Sequence, residues 1–163
     1  MSEALFQQAL RDSVHEVLEK MFFVEDLGES SDSASAGGEP PAEVAVELTF
    51  EGDPPGSLTL RATSAAARPI AADFLGCDEE AVSDRQMEEV VCELANMICG
   101  SLLSRVESAT TFRLAAPRIV APTASPAPGR DTSFCAVDLS NGTLTVAVTT
   151  GTETCPEPAQ SAS

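Results

Sequence analysis

Two segments of the chain alternate apolar and polar residues around a turn, and that pattern leaves few folds open. In "EVAVELTF", residues 43–50, the larger apolar side chains Val44, Val46, Leu48 and Phe50 fall on every second position. After the turn "GDPPG" the alternation resumes at Leu58, Leu60 and Ala62. The second pair, "SFCAVDLS" and "TLTVAVTT", flanks Asn141-Gly142, a dipeptide suited to the positive φ angles of a tight hairpin turn. Period-two alternation gives a strand one apolar face, so each hairpin needs another layer to cover it.

The segments between and before the hairpins supply that layer. Phe6, Leu10, Val14, Val17, Leu18 and Met21 recur at spacings of three and four, which predicts a helix over 3–24. "SAAARPIAADFLG", residues 64–76, predicts a second helix, with Ser64 as N-cap and Gly76 as its stop. Pro69 predicts a kink or a later start there. Ser83 and Gln86 form a capping-box pattern that opens a third, longest helix over about 84–106. "FRLAAPRIV" is strand-like up to Pro117, and 121–132 reads as a Pro-rich loop. The expected order is α-β-β-α-α-β-β-β, an α+β fold with helices packed on a largely antiparallel or mixed sheet. One domain over 1–153 is expected, with a flexible acidic loop at 25–42 and a disordered tail at 154–163.

Composition narrows the function. The net charge is −17 and the one lysine is Lys20, so the chain has no electrostatic footprint for nucleic acid or an anionic membrane. It has no apolar run long enough to span a bilayer and no signal-peptide pattern at its N-terminus, so a cytoplasmic location is expected. The five cysteines are odd in number, form no Cys-x-x-Cys pair and read as reduced thiols. The one histidine, His15, lies off the apolar stripe of its helix and far in sequence from every cysteine, so it reads as a solvated residue rather than a zinc ligand. No metal site or cofactor of the chain's own is expected.

The long helix contains a stripe that its apolar face does not account for. At about 100° per residue, Glu89, Glu93, Asn96 and Gly100 fall within about 60° of one another, away from Val90, Leu94, Met97 and Ile98. The stripe reads as an exposed ridge of two carboxylates, an amide and a bare stretch of backbone. Asparagine and glycine are poor helix formers, so their place in a helix interior asks for a reason. Taken alone, the four residues leave an ordinary solvated face open as well, since glutamate suits any exposed helix surface. Cys92 and Cys99, on the flank of the stripe, read as small apolar packing residues.

The longer string "EVVCELANMICGSLLSRV", residues 89–106, resembles the signature helix of the CheC/CheX/FliY family of chemotaxis phosphatases. The resemblance is nearest to the CheX-like branch, where Glu-Leu-x-Asn-x-x-x-Gly marks the active helix. The first helix, the hairpin, the short helix before the signature and "FRLAAPRIV" after it also follow the family's order, over about 3–150. The resemblance implies a phosphatase acting on the aspartyl phosphate of a CheY-type response-regulator receiver. Glu93 would pair with the receiver's active-site lysine, and Asn96 would insert its amide beside the phosphoryl group. These two are the candidate catalytic residues, and Glu89 and Gly100 are candidate partner-binding residues. Magnesium is expected in the receiver's site. The chain departs from the family in holding Glu89 where Asp or Ser is frequent, in the early position of Pro117, and in carrying a single copy of the signature. A reading from a different class is a non-catalytic receiver-binding or scaffold domain of the same fold. Pairing of two copies through strand edges at 133–150 is left open, as is coverage of that edge by helices or charge.

Overall fold

The computed structural model describes residues 3–21, 43–52, 55–106, 111–121, 131–139 and 142–151. The described residues form three α-helices: α1 (Glu3–Glu16), α2 (Ser64–Leu75) and α3 (Asp84–Ser104). The strands are β1 (Glu43–Glu51), β2 (Gly56–Thr63), β3 (Arg113–Leu114), β4 (Arg118–Val120), β5 (Asp131–Leu139) and β6 (Gly142–Thr150). They form one sheet in the order β3-β1-β2-β6-β5, with β4 also on β1, and every pairing is antiparallel. The expected loop at 25–42, the tail at 154–163 and the helix end at 22–24 lie outside the described residues.

The alternation read from the sequence is what buries one face of the sheet. Val44, Val46, Leu48 and Phe50 of β1, Leu58 and Leu60 of β2, and Leu144, Val146 and Val148 of β6 are buried. They meet Leu10 and Val14 of α1, Ala67 and Ile70 of α2, and Leu94 and Ile98 of α3 in one apolar core. Removing such side chains from water supplies roughly 1.5–3 kcal/mol each. The other face of the sheet is rich in threonine and charge, including Glu47, Thr59, Arg61 and Thr145, as expected for a two-layer fold with one wet side.

Four details depart from the sequence reading. The first helix gives way after Glu16 to a π-helical turn, Val17–Met21, instead of running on. Helix α2 starts at Ser64 and runs on through Pro69, with Thr63 rather than Ser64 as its N-cap. Pro69, the sixth residue of α2, cannot donate to Ala65 O, so α2 runs on through it one i→i−4 bond short. "FRLAAPRIV" is two short strands, not one, because residues 115–117 interrupt the pairing with β1 between Leu114 and Arg118. Gly142 pairs with Leu139, so it opens β6 and the two connecting residues are 140 and 141, outside the described set.

Gly142 has a packing role instead of a turn role. A Cβ there would lie 2.1 Å from Thr63 Oγ1 and 3.1 Å from Ala66 Cβ. That hydroxyl caps α2, accepting from Ala66 N–H at 3.3 Å, and also accepts from Thr143 N–H at 3.3 Å. Thr63 therefore ties the start of α2 to the β5–β6 hairpin, and only glycine leaves room for it. At its other end α2 stops at Gly76, whose φ of 73° closes the last turn, with Gly76 and Cys77 N–H both donating to Ala72 O.

Candidate functional site

Helix α3 is built to hold its outer ridge still. Ser83 Oγ accepts from Gln86 N–H at 3.1 Å while Gln86 Oε1 accepts from Ser83 N–H at 2.9 Å, the capping box read from the sequence. Arg68 of α2 clamps the same end, donating to Val82 O and to Asp84 Oδ1 at 2.7 Å. At the far end Glu16 of α1 accepts from Ser101 Oγ at 3.2 Å and from the Arg105 guanidinium. Between these anchors Met87, Val90, Val91, Leu94, Ala95, Ile98, Cys99, Leu102 and Leu103 are buried. This arc is wider than the sequence suggested, and it is centred opposite the ridge. Met97, assigned to the apolar face from its spacing, is only half-buried.

The four ridge residues do share one exposed side of α3. Glu89, Glu93 and Gly100 are exposed and Asn96 is half-buried. Glu89 accepts from Arg85 Nε at 3.2 Å across one turn, a pair in which both side chains are largely exposed. Such a pair is weak and exchangeable. Among the described residues nothing forms a hydrogen bond or ion pair with Glu93 or Asn96. A Cβ on Gly100 would meet nothing within 4 Å, so internal packing does not require the glycine. The ridge thus presents a carboxylate and an amide one turn apart, both uncommitted, followed by a turn without a side chain.

The thiols near the ridge are quiet. Burial pushes the Cys99 thiol up to about 12. Burial also raises Cys92, with the nearby Glu88 and Glu89 carboxylates opposing its ionisation further. Cys99 packs as the small apolar residue read from the sequence, and Cys92 is half-buried beside the ridge. Glu16 has the reverse shift: hydrogen bonds from Arg105, Lys20 and Ser101 hold its carboxyl below the usual range. The Arg85 partner of Glu89 was legible as an i, i+4 spacing but was not read from the sequence. The Glu16–Ser101–Arg105 anchor had no local signal, because its halves are 85 and 89 residues apart.

Among the described residues no three His, Cys, Asp or Glu side chains converge as a metal site would require, and no helix is long and apolar enough to cross a membrane. The candidate site is one side of a helix, with Glu89, Glu93 and Gly100 exposed on it.

Comparison with known proteins follows the same lines. The family model for "Chemotaxis phosphatase CheX" matches residues 44–136, from β1 through the first part of β5 and including all of α3. Among solved structures, the chemotaxis protein CheX of Vibrio vulnificus superposes with a TM-score of 0.71 at 18% identity, covering 93% of this chain and 99% of that one. CheX of Desulfovibrio desulfuricans gives 0.70 at 19% identity, covering 90% and 99%. CheX from the CheX–CheY–BeF3–Mg complex of Borrelia burgdorferi gives 0.69 at 18% identity, covering 88% and 96%. No curated protein matches the sequence. The family match spans more than half of the chain and includes α2, α3 and strands β1 to β4, and the chain belongs to the CheX family of chemotaxis phosphatases.

Proposed function

We propose that this chain hydrolyses the aspartyl phosphate of a CheY-type response-regulator receiver by laying the ridge of α3 across the receiver's active site. The observation that carries the reading is the pair Glu93 and Asn96, one turn apart on a helix anchored at both ends, exposed and half-buried, with no partner among the described residues. The neighbour that supports the choice of partner is the Borrelia burgdorferi CheX, whose structure was solved with CheY, BeF3 and magnesium.

The residue types suit this chemistry. An aspartyl phosphate is already activated, so the main demand is a water held in line with the leaving oxygen. The Asn96 amide can donate to or accept from that water without bringing charge to the phosphoryl group. A carboxylate in its place would repel the phosphoryl oxygens. Glu93 is therefore suited to the receiver's lysine, as a charge-assisted anchor that fixes the helix in register. Gly100, one turn beyond Asn96, lets the receiver's backbone approach α3 closely. Glu89, paired with exposed Arg85, is suited to a rim position that steers encounter. Magnesium, the phosphorylated aspartate and the lysine belong to the receiver, so this chain contributes positioning rather than a nucleophile or metal.

The test is the lifetime of a phosphorylated receiver with and without this protein, paired with binding to a receiver carrying beryllofluoride. Faster decay in catalytic amounts, lost in Asn96→Ala, supports the reading. Binding to the beryllofluoride receiver with unchanged phosphate lifetime would replace it with a non-catalytic receiver-binding domain.

A further inference from the structure

Gly100 lies inside α3, where it is the poorest helix former short of proline, because its backbone has the most freedom to lose. In the i→i−4 pattern of the helix, the carbonyl of Asn96 accepts from Gly100 N–H and that of Met97 from Ser101 N–H. The backbone that aims the Asn96 amide is therefore bonded to the residue least able to hold a helical shape by itself. A Cβ on Gly100 would meet nothing within 4 Å, so no packing on the outer side steadies this turn. Its stiffness has to come from the other side of the helix.

Glu16 stands on that side. It is the last residue of α1, where the chain passes into the π-helical turn Val17–Met21. Its Oε1 accepts from Ser101 Oγ at 3.2 Å and from the Arg105 guanidinium, and its Oε2 accepts from Lys20 Nζ at 3.3 Å. Ser101 and Arg105 are one turn apart on one face of α3, so two bonds to one carboxylate fix the rotation of the helix as well as its position. At about 100° per residue, they stand about 140° and 180° around α3 from Asn96, and the tie leaves the ridge uncovered. The Glu16 and Arg105 side chains are 37% and 35% exposed, which makes this a partly shielded network rather than an isolated surface pair. The tie at the start of α3 is more remote: Asp84, held by Arg68, is twelve residues from Asn96, whereas Ser101 is five.

We propose that Glu16 is a positioning residue of the phosphatase site: through Ser101 and Arg105 it braces the turn that Gly100 weakens, and so holds the Asn96 amide in line with the receiver's phosphoryl group. The inference rests on the phosphatase reading and adds to it a residue from another helix. Glu16 acts through Asn96 and not on the phosphoryl group itself. Glu93, a turn further from the weak point, keeps its place when the brace is lost, so turnover falls while receiver binding stays.

The experiment measures kcat and KM with a phosphorylated receiver, affinity for the beryllofluoride receiver, and amide exchange at Ser101. It compares the parent chain, Glu16→Ala, Glu16→Gln, Gly100→Ala and the double variant Glu16→Ala with Gly100→Ala. Glu16→Ala is expected to lower kcat about tenfold and to speed Ser101 exchange about tenfold, with KM and beryllofluoride-receiver affinity changed by less than about twofold. Glu16→Gln, which keeps an oxygen acceptor, is expected to restore part of both losses. With Gly100→Ala as background, where the helix needs less bracing, Glu16→Ala is expected to change kcat and Ser101 exchange by no more than about twofold. A parent chain that leaves the receiver's phosphate lifetime unchanged overturns the phosphatase reading and this assignment with it. An active parent with kcat unchanged in Glu16→Ala overturns the assignment alone. A tenfold effect of Glu16→Ala on exchange that persists beside Gly100→Ala also overturns it, since the tie would then be general support for the fold.

Discussion

At the scale of single residues, the ridge of α3 separates side chains that hold the fold from side chains that face outward. Asn96→Ala is expected to lower the rate of receiver dephosphorylation by about two to three orders of magnitude, the usual loss for one positioned polar group, with stability changed by less than about 0.5 kcal/mol. Phosphoreceiver half-life and a thermal melt measure the two together. A large fall in melting temperature would make Asn96 a packing residue. Glu93→Ala is expected to act more on KM than Asn96→Ala does, Glu93→Lys to be worse than Glu93→Ala, and Glu89→Ala to be the mildest of the three. Initial rates against receiver concentration at two salt concentrations check the order. If Glu89→Ala proves the most damaging, the contact is shifted by one turn. Gly100 gives a test of opposite signs. Open space around its absent Cβ means Gly100→Ala is expected to stabilise the chain by about 1 kcal/mol, while Gly100→Leu lowers kcat/KM for the receiver about tenfold or more.

At the scale of elements, two long-range ties decide where the helices sit. Thr63 joins α2 to the β5–β6 hairpin, so Thr63→Ala is expected to cost about 1–2 kcal/mol by urea unfolding, and Gly142→Ala about 1–3 kcal/mol by forcing that hydroxyl aside. Double substitution is expected to be less than additive, since both act on one contact. Glu16 joins α1 to the end of α3. Its carboxyl titrates below its ordinary value of 4.5, so the tie contributes fully above that value and is lost as pH falls through the lower, folded-state value. Melting temperatures of the parent and Glu16→Gln are therefore expected to differ by a constant amount at neutral pH and to converge only well below pH 4.5. Convergence already at pH 6 would mean that the shift lies elsewhere.

At the scale of the whole molecule, burial orders the thiols. Among the four described cysteines, Cys77 is exposed, Cys92 half-buried, and Cys99 and Cys135 buried. A disulfide reagent is expected to modify Cys77 first and Cys99 and Cys135 about 10³-fold or more slowly, at the rate of opening. Peptide mapping of a timed reaction checks the order. The fold was legible in the sequence where a period repeats: four strands, the capping box at Ser83, and the stop at Gly76 all came from local patterns. What escaped it depended on partners distant in the chain. The break in "FRLAAPRIV" lies where the pairing with β1 is interrupted, and Thr63, the cap in place of Ser64, also accepts from Thr143, 80 residues away. The candidate site was legible because its residues sit on one helix, where angular spacing fixes their common face. Its anchors at Glu16 and Arg68 were not, since each joins two helices whose packing no local pattern encodes.

The arc of α3 that is buried and the ridge that is presented have no residue in common, save the partial burial of Asn96. Selection can therefore act on one without disturbing the other. A descendant could lose Glu93 and Asn96, or exchange them for residues suited to a different receiver, and still fold and melt as its ancestor did. Within such a lineage, preservation of the architecture says little about preservation of turnover, and changes of client can accumulate as neutral drift in stability.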